Sequence, residues 1–372
     1  MVIGLSHGGT TIYQGRNLTD SVMIGTMDGV VILSKSAEGA WTTTGHGLQG
    51  QHIHAIIFAD GLVFAGAYRS GVFASVDGGA TWEPRDNGVN VRSVFSLASA
   101  VVDGKTRLFV GTEPAHLYYS DDLGLSWTEL PALRMVGSVQ NWRFAADPFE
   151  AHLKHINFHP DDTSHIYASI EVGGLLESTD AGATWHDLDV PVPDVHRTLF
   201  DPRDANRMWN TGGGLIYSGD AGQTWDTWMP KDNNVGGYPD QLVLVPSNPN
   251  VMYLGSSETG PRSWVREGYS TAGGRIAKST DGGRSWTVLR GGLPDGLHGN
   301  IEAMCLDESP IGVSLFAGTT DGEVWCSEDG GDTWSKIAQL AGISKSIHAE
   351  MLTTTRTTDL KFTDGEVAAK TV

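Results

Sequence analysis

The chain has 372 residues, 48 of them glycine, and a formal net charge of −19 at pH 7. That charge argues against nucleic acid and anionic membranes as partners, because both require a basic face. Cys305 and Cys326 give neither a disulfide framework nor a Cys-x-x-Cys zinc motif, and residues 1–9 contain neither a basic region nor a long apolar run. We therefore expect a cytoplasmic protein without a signal peptide; its oligomeric state stays open.

One motif, Ser-x-Asp-x-Gly-x-Thr/Ser-Trp, recurs along the chain, and we call it the clasp. Six copies span residues 75–82, 120–127, 178–185, 218–225, 279–286 and 327–334, and a degenerate copy spans residues 34–41. The Asp side chain can hydrogen-bond the backbone nearby, and the Gly can adopt positive φ, so the motif predicts a tight turn. The distances between successive motif tryptophans, 40 to 61 residues, indicate a repeat architecture that tolerates insertions.

Each clasp follows two β-rich runs joined by a glycine-containing turn, for example residues 22–26 and 30–34. After each clasp comes a short polar strand and then another apolar run, for example residues 53–58. Four strands in each of seven repeats predict an all-β, seven-bladed β-propeller that forms one domain over residues 1–372. Residues 346–353 repeat the inner-strand pattern, so we expect strands from both chain ends to share one blade and close the ring.

The clasps closely resemble those of the BNR or Asp-box repeat proteins, and the resemblance covers nearly the whole chain. It implies the propeller fold and leaves function open. Sialidases, xyloglucan-cleaving hydrolases, sortilin-type receptors and a photosystem assembly factor share the motif, and the motif carries none of their chemistry. The Asp residues of the clasps are accordingly interpreted as structural.

Aligning the seven inner strands by their apolar runs predicts a polar channel mouth. One column contains His54, Arg92, Lys154, His196, Asp240, Glu302 and His348. Two residues earlier, on the same strand face, the column contains His52, Asn90, His152, Asp194, Tyr238, Asn300 and Ser346. Channel mouths also collect polar residues without any chemistry, and that alternative stays open.

Glu302, His348 and His54 fall on three successive blades of this alignment. Two imidazoles and a carboxylate form a common zinc set, so these residues are predicted to hold a divalent metal, zinc being the candidate. Around the ion, the predicted proton-transfer groups are His196, Asp240, His52 and His152. The predicted groups that neutralise negative charge are Arg92 and Lys154.

Loops over the predicted mouth supply further candidates. Two insertions, residues 134–150 and 256–274, contribute Trp142, Arg143, Arg262 and Trp264, and shorter turns contribute Tyr68, Arg69, Glu113, His116 and Glu171. Long loops on a rigid scaffold usually carry binding, so these residues are predicted to contact a small polar or anionic substrate. Packing of the aromatic residues onto the scaffold remains the alternative.

The favoured function is a metal-assisted hydrolase or lyase, with a non-catalytic binding or assembly propeller as the first alternative. A glycoside hydrolase of the Asp-box superfamily is the second. A true sialidase is disfavoured. Resemblance to the sialidases would imply a Phe/Tyr-Arg-Ile-Pro element ahead of the first clasp, and this chain lacks that element, since Arg16 is the one arginine before Trp41. Resemblance to the xyloglucan-cleaving enzymes would imply two tandem propellers and a secretion signal, whereas this chain is predicted to form a single propeller.

Overall fold

The structure is a computed structural model that describes residues 2–146, 149–228, 235–266, 268–343 and 346–354. The predicted single domain extends to residue 372, so its last 18 residues, 355–372, lie outside the described residues. Within the described part of the chain, no helix is long and apolar enough to cross a membrane.

The described residues form 31 strands and one α-helix. Strands β1 to β9 are Val2–Leu5, Ile12–Gln14, Ser21–Thr26, Gly29–Lys35, Trp41–Gly47, Ile53–Ala59, Leu62–Ala67, Gly71–Ser75 and Glu83–Pro84. Strands β10 to β21 are Val94–Val102, Lys105–Thr112, Leu117–Ser120, Thr128–Glu129, Leu153–His159, Asp162–Ile170, Gly174–Ser178, His186–Leu188, Val195–Asp201, Asp204–Gly212, Ile216–Ser218 and Asp226–Thr227. Strands β22 to β31 are Tyr238–Val245, Asn248–Ser257, Val265–Arg266, Tyr269–Ser270, Arg275–Ser279, Thr287–Val288, Ile301–Ser309, Gly312–Thr319, Glu323–Ser327 and Ser335–Gln339, and helix α1 is Ser346–Thr353.

Seven sheets form the seven predicted blades, each with four strands in order from the channel outward. The first blade is β1-β3-β4-β5; the second to fifth are β6-β9, β10-β13, β14-β17 and β18-β21; the sixth is β22-β23-β26-β27 and the seventh is β28-β31. Apolar side chains of adjacent blades pack face to face, so that the core lies between blades. The predicted all-β, seven-bladed propeller is confirmed.

The clasps lie on the face opposite the channel mouth. In the second blade Ile53 pairs with Ala67 at the mouth end, whereas Val63 pairs with Ser75 at the other end, where the clasp begins. The side chain of Asp77 accepts hydrogen bonds from the hydroxyls of Ser75 (2.8 Å) and Thr81 (2.6 Å) and from the Thr81 backbone N–H (2.8 Å). Corresponding bonds recur in the other five complete copies. The motif therefore forms the tight turn that the sequence predicts.

The N-terminal segment is threaded through the centre of the ring. Strand β1 is the innermost strand of the first blade and pairs in parallel with β3, and β2 adds in parallel to β28 of the seventh blade. Between them residues 6–11, the channel segment, hydrogen-bond the inner strands of the second, third and seventh blades. Gly8 and Gly9 permit this close approach, since a Cβ on either would lie 1.9 or 2.1 Å from a carbonyl oxygen of Phe95 or Ile56.

Ring closure therefore differs in detail from the sequence-based prediction. Strands from both ends of the chain do share one sheet, because β2 is the fifth strand of the sheet that β28, β29, β30 and β31 form. The predicted inner strand at residues 346–353 is wrong: these residues form α1. The physical reason is that β1 already occupies the inner edge of the first blade. Helix α1 packs instead near the hairpin of β24 and β25.

Candidate functional site

A β-bulge at the mouth end of the inner strands aligns the central side chains. The register shifts fall at His54, Lys154, His196, Asp240 and Glu302, and these five side chains are 0 to 2% exposed. An extra residue in a bulge is left out of the ladder and its side chain is redirected, here at the same level of five blades. The predicted column is thus brought together at five of its seven positions.

Arg92 is the position that the alignment placed wrongly. The bulge of the third blade lies between Val94 and Ser96, so Phe95 is the structural equivalent of the other column residues. Arg92 precedes β10 in a turn, its side chain is 54% exposed, and it pairs with Asp86 at 2.6 Å. The column residue of this blade is itself apolar, so alignment by apolar runs selected Arg92, three residues earlier, and Arg92 lies outside the buried cluster.

Lys154 is a buried cation between two carboxylates. Its Nζ lies 2.8 Å from Asp240 Oδ1 and 3.2 Å from Glu171 Oε2. Burial lowers the pKa of Lys154, but the charges of Asp240 and Glu171 raise it more, so that the ammonium stays protonated. Burial also raises the pKa of Asp240, but Lys154 and His196 hold it well below its usual range.

His196 connects this pair to two further acids. Its Nδ1 donates to Asp240 Oδ1 at 2.7 Å, while its Nε2 lies 3.1 Å from Asp194 Oδ1 and 3.5 Å from Glu171 Oε1. Burial and Lys154 lower the pKa of His196, but the three carboxylates outweigh them and raise it to about 9. The imidazole is therefore fixed by one carboxylate and faces two others.

Glu302 forms the other half of the cluster. Its Oε1 accepts a hydrogen bond from His348 Nδ1 at 2.5 Å and another from Asn300 Nδ2 at 3.1 Å. His7, from the channel segment, lies on the other side, with Nδ1 3.4 Å from Glu302 Oε2. Burial raises the pKa of Glu302, but the charge of His348 and its hydrogen bond lower it by more, so that the net shift is downward. The pKa of His7 falls to about 4, chiefly because of burial.

The predicted zinc trio is only partly assembled. Glu302 and His348 are in contact, but His54 lies among aromatic rings: its Nε2 is 3.0 Å from His52 Nε2 and its ring packs against Phe95. Among the described residues, two sets offer three potential ligand atoms within 4.8 Å of one another. They are His7, Asp240 and Glu302, and Glu171, Asp194 and His196. The channel segment explains the difference, because His7 takes the position beside Glu302 that His54 was predicted to occupy.

A cavity of about 250 Å³ opens at the mouth beside this cluster. Its walls include Phe144, Glu171, Asp194, Tyr238, Arg262 and His348. Asp194, with its side chain 27% exposed, brings the acid cluster into contact with solvent. Both predicted insertions reach the cavity, since Phe144 comes from the first and Arg262 from the second.

Three of the other predicted loop residues join the cluster from its edge. Tyr68 donates to Glu113 Oε1 at 3.1 Å and stacks on His54, and Arg69 lies over the Tyr68 ring at 4.9 Å. Glu113 Oε2 is 3.4 Å from Nδ1 of the buried His152, whose Nε2 is 2.7 Å from Glu171. These residues extend the polar network outward from the cavity wall.

The remaining loop predictions are placed elsewhere. His116 pairs with Glu129 at 2.7 Å. Trp142 packs against the core between the third and fourth blades, and Arg143 beside it is exposed. Trp264 is fully buried against His348 and Tyr238. Both tryptophans pack their loops onto the scaffold, as the alternative interpretation held.

His7 is the site residue that sequence reasoning missed. The repeats carry no signal for it, because it precedes the first clasp and belongs to no inner strand. One local signal exists: His7 stands before Gly8-Gly9, and consecutive glycines indicate a close backbone approach.

Comparison with known proteins places the fold among β-propellers. No protein-family model matches the chain. A curated xyloglucanase from Paenibacillus sp is 28% identical over 188 residues, which is 49% of this chain and 14% of that protein. A GH74 xyloglucanase structure from Xanthomonas campestris has a TM-score of 0.63 at 17% identity, covering 90% of this chain and 55% of that one. A structure of YCF48 bound to D1 peptide has a TM-score of 0.50 at 15% identity, covering 83% and 96%.

The chain is thus much shorter than the enzymes that it resembles. It spans about one seventh of the curated xyloglucanase, 38% of an ancestral GH74 enzyme and 55% of the Xanthomonas campestris enzyme. At these identities the solved structures establish the seven-bladed fold.

Proposed function

We propose that the mouth cavity binds a divalent metal ion through Glu171, Asp194 and His196, and that the protein is a metal-assisted hydrolase or lyase for a small polar molecule. The observation that carries the proposal is the orientation of His196. Its Nδ1 donates to Asp240 at 2.7 Å, while its Nε2 hydrogen-bonds Asp194 at 3.1 Å and lies 3.5 Å from Glu171, so that an ion between these groups would replace the Nε2 proton. A histidine ligand of a metal typically donates its other ring N–H to a carboxylate in this way.

The charge of the cluster supports a bound cation. Five carboxylates, those of Glu113, Glu171, Asp194, Asp240 and Glu302, lie in this cluster; Lys154 supplies positive charge to Asp240 and Glu171, and histidines face the other three. Buried charges are stable when they are paired or bind metal ions. A divalent ion at the Asp194 end would supply that charge next to the cavity.

The cavity offers groups for the chemistry that such an ion supports. A divalent ion lowers the pKa of a bound water or polarises a substrate oxygen. His348, on the wall of the same cavity, is oriented by its hydrogen bond to Glu302 and can accept or return the proton. Arg262, also on the wall, supplies a positive charge for an anionic substrate group.

The test is ion binding and turnover in an Asp194→Asn variant. We expect wild-type protein to bind Zn²⁺ or Mn²⁺ in the cavity and the variant to bind it at least ~10-fold more weakly, since even indirect partners of a metal contribute that much. Asp189→Asn is the matched control, because Asp189 is an exposed carboxylate on the same stretch of chain. Isothermal titration with ZnCl₂ and MnCl₂ gives the affinity; equal binding by both variants would reject the site.

Hydrolysis of p-nitrophenyl esters, phosphodiesters and glycosides, each with and without EDTA, tests the activity. A glycoside hydrolase is the second candidate, because a xyloglucanase is the curated relative and Glu171 and Asp194 present carboxylate oxygens within 4.8 Å of each other on the cavity wall. Paired carboxylates at close range can serve as acid and nucleophile in glycoside hydrolysis. Glycoside cleavage that resists EDTA would favour this candidate over the metal-assisted one.

A further inference from the structure

The channel segment brings a second set of ligand atoms together beneath the cavity. His7, Asp240 and Glu302 each offer one potential ligand atom, all within 4.8 Å of one another, and all three residues are at most 2% exposed. This set differs from the cavity set in its burial and in its origin, because one member comes from the N-terminal segment and two from the sixth and seventh blades.

Several polar atoms around this point lack partners. Among the described residues, His7 Nε2 and Asn300 Oδ1 are buried without a hydrogen-bond partner, and Glu302 Oε2 has the longer contact with His7 Nδ1 at 3.4 Å. Asp240 Oδ2 is contacted by Asn300 Nδ2 at 3.3 Å, while its other oxygen already serves Lys154 and His196. Leaving one buried polar atom unsatisfied costs about 1–3 kcal/mol, so a group of them in one place indicates a missing ligand.

The hydrogen bonding of His7 leaves one ring nitrogen without a partner. Its Nδ1 donates to the backbone carbonyl of Glu302 at 3.0 Å, which leaves the lone pair of the neutral imidazole on the unpartnered Nε2. A backbone carbonyl is a common partner for the second nitrogen of a metal-bound histidine. Rotation of the Asn300 amide by half a turn would also present its oxygen, since amide oxygen and nitrogen are exchangeable in such assignments.

We propose that His7, Asp240 and Glu302 hold a second divalent ion, of the zinc or manganese class, that fastens the channel segment to the sixth and seventh blades. One imidazole and two or three oxygens form a mixed donor set that suits these ions. All three residues are at most 2% exposed, so the ion is structural and its role is to hold the channel segment to the ring. It stands independently of the proposed function, which uses different ligands.

The experiment compares His7→Gln with His54→Gln in protein purified from medium supplemented with ZnCl₂ or MnCl₂. His54 is the matched control: it is a buried histidine whose ring centre is 6.1 Å from that of His7, and it is outside the set. Elemental analysis after EDTA treatment should find one ion per chain in wild type and in His54→Gln and none in His7→Gln. Retention in both variants, or loss in His54→Gln alone, would overturn the proposal.

Asp194→Asn separates the two ion sites. With two sites occupied, this variant should retain one ion that resists EDTA, whereas His7→Gln should retain one that EDTA removes. If wild type keeps one EDTA-resistant ion and Asp194→Asn binds the same number of ions as wild type, the result supports this proposal and rejects the cavity ion. If His7→Gln does not fold, the Co²⁺ absorption spectrum of Asp194→Asn provides the readout, and absence of ligand-field bands would overturn the buried site.

Discussion

The two faces of this propeller use acidic residues in opposite ways. On the clasp face, Asp77 and its five equivalents are largely exposed, and their oxygens accept hydrogen bonds from neighbours at most four residues away. At the mouth, Asp240 and Glu302 are fully buried, and their ionic partners Lys154, His196 and His348 are 44 to 86 residues away, with His7 still farther along the chain. A carboxylate that the local chain satisfies completely is structural, whereas one held by distant charges can serve binding or chemistry.

The largest effect should come from removing the central cation of the mouth. Lys154→Met leaves Asp240 and Glu171 without their ammonium partner in a buried position, and breaking a buried pair costs about 3–5 kcal/mol. Lys35→Met is the control, because Lys35 pairs with the exposed Glu328 on the outer surface and such pairs contribute about 0–1 kcal/mol. Urea denaturation measures both; equal stabilities would show that the mouth ions are solvated.

A buried clasp tryptophan should come next. Trp334 is 4% exposed and donates its Nε1–H to the Gly331 carbonyl at 3.1 Å, so Trp334→Ala removes core packing and is expected to cost about 3 kcal/mol. Thermal denaturation checks the loss. Ion binding at the mouth in the folded fraction should match wild type, and weaker binding would contradict the separation of the two faces.

A smaller effect is expected for the clasp carboxylate itself. Asp180→Ala removes hydrogen bonds from Ser178 and Thr184 and should lower the free energy of unfolding by about 1 kcal/mol while ion binding stays unchanged. Asp194→Asn should instead weaken ion binding and leave the free energy of unfolding nearly unchanged. A clasp variant of wild-type stability that has lost its ion would mean that the two kinds of acid have been confused.

The smallest effect should appear in acid. Hydrogen bonding by Thr81 and Ser75 lowers the pKa of Asp77 from 3.8 to about 2. A carboxyl group whose pKa is depressed on folding stabilises the protein above its unfolded pKa, and this contribution disappears as the pH falls through the folded value. The melting temperature should therefore decline from pH ~4 towards pH ~2 less steeply in Asp77→Asn than in wild type. Parallel declines would contradict the assignment.

The sequence predicted what is repeated and local. The clasp could be predicted because the hydrogen bonds of its Asp side chain lie within eight residues. Lys154, His196, Asp240 and Glu302 could be predicted because each stands at the same position relative to the apolar run of its inner strand. Arg92 was misplaced because the column residue of the third blade, Phe95, is itself apolar and shifts the alignment. His7 could not be found, since threading the channel segment through the ring depends on the packing of the inner strands and leaves no periodic pattern.

His348 lies at the mouth as predicted, but in a different secondary structure from the one predicted. It was predicted at the mouth as part of an inner strand, but it reaches Glu302 from helix α1. The eight residues of α1 lie close in space to where that strand would have been, because both would follow the seventh blade. Sequence alone could therefore indicate the neighbourhood of His348 and could not distinguish the two secondary structures.

The parallel pairing of β2 with β28 imposes an order in time. Gln14 and its partner Glu308 are 294 residues apart, so the ribosome makes residues 6–14 long before the strand that receives them. Until the seventh blade has been made, His7 has no Glu302 to contact, although Glu171, Asp194 and Asp240 of the earlier blades are already present. The half of the cluster around Glu302 and His7 therefore forms only after the seventh blade has been made.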